Sequence, residues 1–109
     1  MKTKNFARAL ERWGMRVVVH TGGQSRRCRA FFQPMKRVGT QQCVPTPLGQ
    51  VLQDRFLYLG AADVPLDTDS RVEVDGEWFR VEQAHPVFLG QHIHHWRAIC
   101  TRRRQEAVE

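Results

Sequence analysis

The sequence predicts a mainly β protein, a small antiparallel β-barrel or sandwich of six or seven strands with a short N-terminal helix and a long flexible loop. Arg71 to Glu82 supplies the first observation. Val72 and Val74 alternate with Arg71, Glu73 and Asp75, and Phe79 and Val81 alternate with Arg80 and Glu82. Period-two alternation puts one face on a core and the other in water. Asp75-Gly76 between the two arms is a dipeptide that accepts the positive φ of a tight hairpin turn. Two further runs, Met15 to His20 and Ile93 to Thr101, have strand character, the first through its β-branched Val17, Val18 and Val19. Finally, 109 residues support one domain with a modest core.

Taken in order, residues 4 to 13 predict a helix whose Phe6, Leu10 and Trp13 stack on one face, with Gly14 as its stop. A first β-hairpin spans 15 to 36. It contains a strand from Met15 to His20, a turn at Thr21 to Ser25, and a strand from Arg26 to Gln33 with Cys28, Ala30 and Phe32 on one face. Gly39, Pro45, Pro47 and Gly49 break any regular pattern, so residues 37 to 49 read as a loop or arm. The remaining strands fall within 50 to 101. These are a segment around Phe56 to Leu59, the 71 to 82 hairpin after a turn-rich link at Ala61 to Ser70, and the final strand from Ile93 after a loop at Pro86 to Gly90. Residues 102 to 109 form a charged, frayed tail. There are no internal repeats, and 1 to 109 is expected to be a single domain.

No run of about 18 apolar residues occurs, so no membrane span is expected. The start lacks the apolar segment of a signal peptide. Cys28, Cys43 and Cys100 are odd in number and widely spaced, which suits a reduced compartment better than a disulfide framework. The formal charge of +6 is unevenly distributed along the chain. Residues 1 to 60 hold eleven Lys or Arg against Glu11 and Asp54, a net of +9, whereas residues 61 to 101 hold three against seven acids, a net of −4. Such polarity suits a polyanion or a head-to-tail contact between copies.

Each candidate site has a bland alternative. His92 and His94 would share a strand face and could begin a metal site; the bland reading is a polar strand face, and no cofactor is expected. Arg26, Arg27 and Arg29 with Lys36 and Arg37 form a basic group that would face DNA or a partner, by non-specific backbone contact if the partner is DNA, or simply face water. Glu73, Asp75 and Glu77 project into water, where carboxylates keep ordinary pKa values, so they suit a docking surface rather than a catalytic pair. The cysteines read as buried thiols. Trp78 faces outward as a packing residue for a neighbouring chain or a loop of the same domain, and Trp96 is a second candidate anchor. No enzymatic constellation emerges.

The stretch Asp69-Ser-Arg-Val-Glu-Val-Asp-Gly-Glu-Trp-Phe-Arg-Val-Glu-Gln-Ala-His-Pro-Val87, followed by Gly90 and a tryptophan-containing closing strand, resembles the C-terminal half of small head–tail connector proteins of tailed bacteriophages. The nearest likeness is to the stopper or head-closure members found in phages and prophage-like elements of Gram-positive bacteria. Tyr58-Leu-Gly-Ala-Ala-Asp-Val-Pro-Leu66 looks like that family's link into the hairpin. The resemblance covers roughly residues 56 to 101 and rests on a short, degenerate motif. It implies a small β-barrel that assembles as a ring between portal and tail, closes the DNA-filled head and offers a platform for the tail. The expected partners are other copies of itself, a portal or adaptor protein, a tail protein and, by non-specific contact, packaged DNA. The expected location is the virion, after assembly from the bacterial host cytoplasm. The cluster His92, His94 and His95 departs from that pattern. A stand-alone small-barrel nucleic-acid-binding module is the alternative function.

Overall fold

The computed structural model describes residues 3–35, 43–46, 49–52 and 55–102. Helix α1 (Thr3–Trp13) leads into strands β1 (Met15–Thr21) and β2 (Gln24–Pro34). Then follow β3 (Cys43–Thr46), β4 (Gly49–Leu52), β5 (Arg55–Gly60), β6 (Arg71–Val74), β7 (Glu77–Leu89) and β8 (His92–Arg102). Six strands close an antiparallel barrel in the order β1-β2-β5-β8-β7-β6, with β6 returning to β1. Of the two architectures the alternation allowed, the barrel is the one formed.

Alternation sets the inside. Val17 and Val19, Ala30, Tyr58, Val72 and Val74, Phe79 and Val81, and Ala98 and Cys100 point inward from the six strands and are buried, and Val64 and Leu66 of the β5–β6 connection join the same core. Each large apolar side chain taken out of water in this way contributes roughly 1.5–3 kcal/mol. Phe32, Phe56 and Phe79 form an aromatic trio with ring centroids 4.8–5.1 Å apart. Tight turns join the hairpins. Gly22 and Gly23 have φ of 59° and 79°, and Asp75 and Gly76 have 52° and 81°, so both turns hold left-handed backbone, as Asp75-Gly76 was read to favour.

The barrel closes along a short seam, where Val18, Val19 and His20 of β1 pair with Glu73, Val72 and Arg71 of β6. Ser70, fully buried, secures the approach to it. Its hydroxyl accepts from the Asp67 N–H at 2.9 Å and faces the Thr21 hydroxyl at 2.9 Å, which ties the β5–β6 connection to the end of β1.

Several expectations are corrected. Trp13 does not join the buried helix face: Phe6 and Leu10 do, whereas Trp13 is 69% exposed under the Arg12 guanidinium. Only the middle of the helix is backed, where Phe6 meets Phe31 edge-on. Gly14 ends the helix through space rather than through a positive φ, because a Cβ there would lie 2.5 Å from the Leu10 carbonyl oxygen. The expected loop at Pro86 to Gly90 is strand as far as Leu89, and the turn is Gly90-Gln91. β7 pairs with β6 only through Arg80, so Pro86 removes no hydrogen bond toward that neighbour. β3, at the end of the segment read as a loop or arm, pairs with β4 as a separate two-stranded sheet. Residues 36–42, including Lys36 and Arg37, and the tail from residue 103 lie outside the described residues.

Two substitutions test this core. Ser70→Ala removes a buried hydroxyl and leaves the part-buried Asp67 N–H without its acceptor, and is expected to lower unfolding free energy by about 1–2 kcal/mol in urea denaturation. The buried Tyr58 hydroxyl has no well-formed hydrogen bond; its polar neighbours include the weak Cys28 and Cys100 thiols. Tyr58→Phe is therefore expected to leave stability unchanged or slightly raised, and a loss above about 1 kcal/mol would show that the hydroxyl is satisfied.

Candidate functional site

The residues alternating with the core make up the barrel's outer face, and the register arranges them in rows across β2, β1, β6 and β7. In one row Arg29 lies opposite Arg16. In the next, Arg27, Val18, Glu73 and Trp78 lie side by side. The third runs Ser25, His20, Arg71 and Arg80. Neighbouring strands sit about 4.8 Å apart and successive rows about 6.7 Å apart. The face thus gathers five arginines around a single glutamate.

The strands of the two chain halves form two arcs of the barrel, β1-β2-β5 and β8-β7-β6, and β1 of the basic half pairs with β6 of the acidic half where the arcs meet. Arg71 and Arg80 consequently join Arg16, Arg27 and Arg29. Ion pairs between the halves also use up much of the expected complementarity: Arg26 with Asp63 at 3.1 Å, and Arg55 with Glu82 at 3.6 Å.

At the centre of the face, His20 stacks on Trp78 with ring centroids 4.7 Å apart. His20 Nε2 lies 3.1 Å from Glu73 Oε1, and Nδ1 lies 2.7 Å from Ser25 Oγ. A carboxylate only accepts, so Nε2 carries the proton and, in the neutral ring, Nδ1 accepts from the Ser25 hydroxyl. The chain of contacts has the connectivity of a nucleophile–base–acid relay. Ser25, however, is exposed at a strand end, in water rather than in the dry, preorganised pocket that such chemistry uses. The arrangement works as a clamp across the β1–β6 seam.

Of the basic group read from the sequence, Arg27 is exposed on the outer face. Arg26 belongs to the opposite side of the strand, where it donates to the Asp63 carbonyl at 2.8 Å and to its carboxylate at 3.1 Å. Arg29 is half-buried and donates to the Gly14 carbonyl at 3.2 Å. Among the acids, Glu73 is held by His20 and Glu77 pairs with Arg102 at 3.6 Å, which leaves Asp75 exposed at the turn. Trp78 is presented outward at 46% exposure, whereas Trp96 packs against the core and donates its indole N–H to the Ala62 carbonyl at 3.1 Å. The sequence reading missed Arg16, Arg71 and Arg80; alternation marked each as outward, but only the register shows that they share a face.

The histidines fall elsewhere. A bulge makes His94 an extra residue between Ile93 and His95, which breaks the alternation that would have aligned His92 with His94. His94 instead meets His95, their Nδ1 atoms 2.8 Å apart, and Phe6 of α1 stacks on His95 at 5.0 Å. Among the described residues no three His, Cys, Asp or Glu side chains are grouped to hold a metal ion. Two cysteine thiols are held protonated: burial pushes Cys100 up to about 12 and raises Cys28 as well. Among the described residues no helix is long and apolar enough to cross a membrane.

Burial, reinforced by His94, Arg97 and His85, holds the His95 imidazole below its ordinary pKa. The unfolded chain therefore takes up this proton first as pH falls through roughly 6.5, so the stability present at neutral pH is lost on acidification. Urea midpoints are expected to drop between about pH 7.5 and about pH 5, and to drop less in His95→Gln.

No protein-family model matches the chain, and no curated protein matches it significantly.

Proposed function

We propose that this chain is a structural subunit of a bacteriophage head–tail junction. In this reading, copies of it form a ring that joins the portal or an adaptor to the tail and helps retain DNA in the head. The observation that carries the proposal is the β7–β8 ribbon. β7 leaves β6 after Arg80, and β8 meets β5 only over Trp96 to Thr101. Beyond those points Val87–Leu89 and His92–His95 pair only with each other, and this short ribbon ends in Phe88 and Leu89, 57% and 52% exposed. Adjacent exposed apolar side chains at the end of a rigid ribbon suit insertion into a neighbouring protein.

Barrel closure supports the same reading. Closure pairs each of the six strands on both sides over part of its length, so contacts with other chains fall to side-chain faces, to the ribbon and to the stretches of β1 and β7 beyond their pairing with β6. The resemblance over residues 56 to 101 spans the ribbon and the strands that support it, from β5 to β8.

The test is assembly. Co-expressed with portal and tail proteins of the same phage or prophage, the chain is expected to enter rings visible by electron microscopy. Phe88→Asp with Leu89→Asp is expected to abolish incorporation while leaving the melting temperature unchanged, since neither side chain is part of the core. A chain that stays monomeric at high concentration and never joins portal or tail components would overturn the proposal.

A further inference from the structure

From the outer face of β2, β1, β6 and β7, we infer a binding surface for the phosphate backbone of nucleic acid. Two of its cross-strand pairs place arginine directly opposite arginine, Arg16 with Arg29 and Arg71 with Arg80, and His20 lies opposite Arg71 as well. Like charges facing each other across a strand pair destabilise a sheet, so folding alone gives no reason for them. An anion between the guanidiniums turns the repulsion into attraction.

The face is also short of internal counter-charge. Arg16, Arg27, Arg71 and Arg80 are exposed and make no ion pair with any described residue. Glu73, the one acid in the rows, is occupied by His20. Pairing between β1 and β6 stops at Val18 and Glu73, and where the strands part there is a groove of about 640 Å³. Arg16, Arg27 and Arg29 line it, with Asp75 and Gly76 of the β6–β7 turn among the residues opposite. Trp78, stacked on one side by His20, adds an aromatic plate in the middle row.

A second copy of the chain is the weaker match for this surface. The carboxylates outside ion pairs among the described residues are Glu11, Asp67, Asp69 and Asp75. They lie on the helix, the β5–β6 connection and the β6–β7 turn, and Asp67 is already used by its own turn. No acidic patch mirrors the arginine rows. A nucleic-acid strand, carrying regularly spaced charges along its length, does.

The inference does not depend on ring assembly: a chain that bound DNA and never formed rings would satisfy it, and a ring-former indifferent to DNA would refute it. The experiment is fluorescence-anisotropy titration of the full chain with a random-sequence DNA duplex, with single strands in a second arm. About four phosphate contacts predict a log–log salt slope between −3 and −4, so affinity falls roughly a hundredfold from about 50 to about 200 mM salt. Arg71→Gln with Arg80→Gln is expected to weaken binding at least about tenfold and to flatten the slope by about two. The same pair of changes should leave the melting temperature equal or higher, because it removes a like-charge contact. Arg8→Gln with Arg97→Gln, off this face, is expected to change neither affinity nor slope. Quenching of Trp78 by single strands alone would assign the face to unpaired nucleic acid. The inference fails if there is no binding at about 50 mM salt, or if both double variants lose affinity equally. It also fails if polyglutamate competes as well as DNA, since the surface would then belong to an acidic protein.

Discussion

Three cross-strand pairs between β1 and β6 hold the barrel shut, and almost every other feature depends on that seam. It joins the start of the chain to its second half: His20 and Glu73, hydrogen-bonded across it, lie 53 residues apart. Backbone pairs alone would make a short closure. Side chains reinforce it from both sides of the wall, with the His20, Glu73 and Trp78 clamp outside and Val19 and Val72 inside. At the same end Ser70 ties the incoming connection to Thr21. Because the seam ends at Val18 and Glu73, it also creates the groove beside Arg16. Closure and surface chemistry therefore share one origin.

The parts of the fold legible in the sequence were those decided locally. Alternation in Arg71 to Glu82 and the Asp75-Gly76 turn needed no knowledge of neighbours, and Val17 and Val19 on β1 followed the same rule. Other features depended on distant partners. Trp13 had helical spacing, but β2 and β8 reach only as far as Phe6 and Leu10. Pro86 looked like a strand breaker, yet it falls where β7 has already parted from β6. The pairing of His92 with His94 failed because one bulge shifts the side-chain phase.

The candidate site was half legible for the same reason. Alternation within β2 separates Arg27 and Arg29 from Arg26, and the pairing of Arg26 with Asp63 follows from its place on the other side of the strand. That Arg71 and Arg80 stand beside Arg16 and Arg27 depends on a strand pairing that composition cannot reveal. Net charge by chain segment misled for this reason: the arc β1-β2-β5 meets the arc β8-β7-β6 at two strand pairings, β1–β6 and β5–β8, and acids and bases of the two halves pair within one molecule.

The ribbon formed by the far ends of β7 and β8 has a consequence for how such a chain varies over time. Beyond His95, which helix α1 covers through Phe6, the tip pairs only within itself, so its length is free of the barrel's geometry. Adding or removing residues in matched pairs keeps every side chain on its original side and changes only how far the tip extends. An unmatched single residue has to be absorbed as a bulge, and His94 shows the strand already carrying one. Reach can thus be retuned in steps of roughly 6.7 Å without disturbing the seam that keeps the barrel closed.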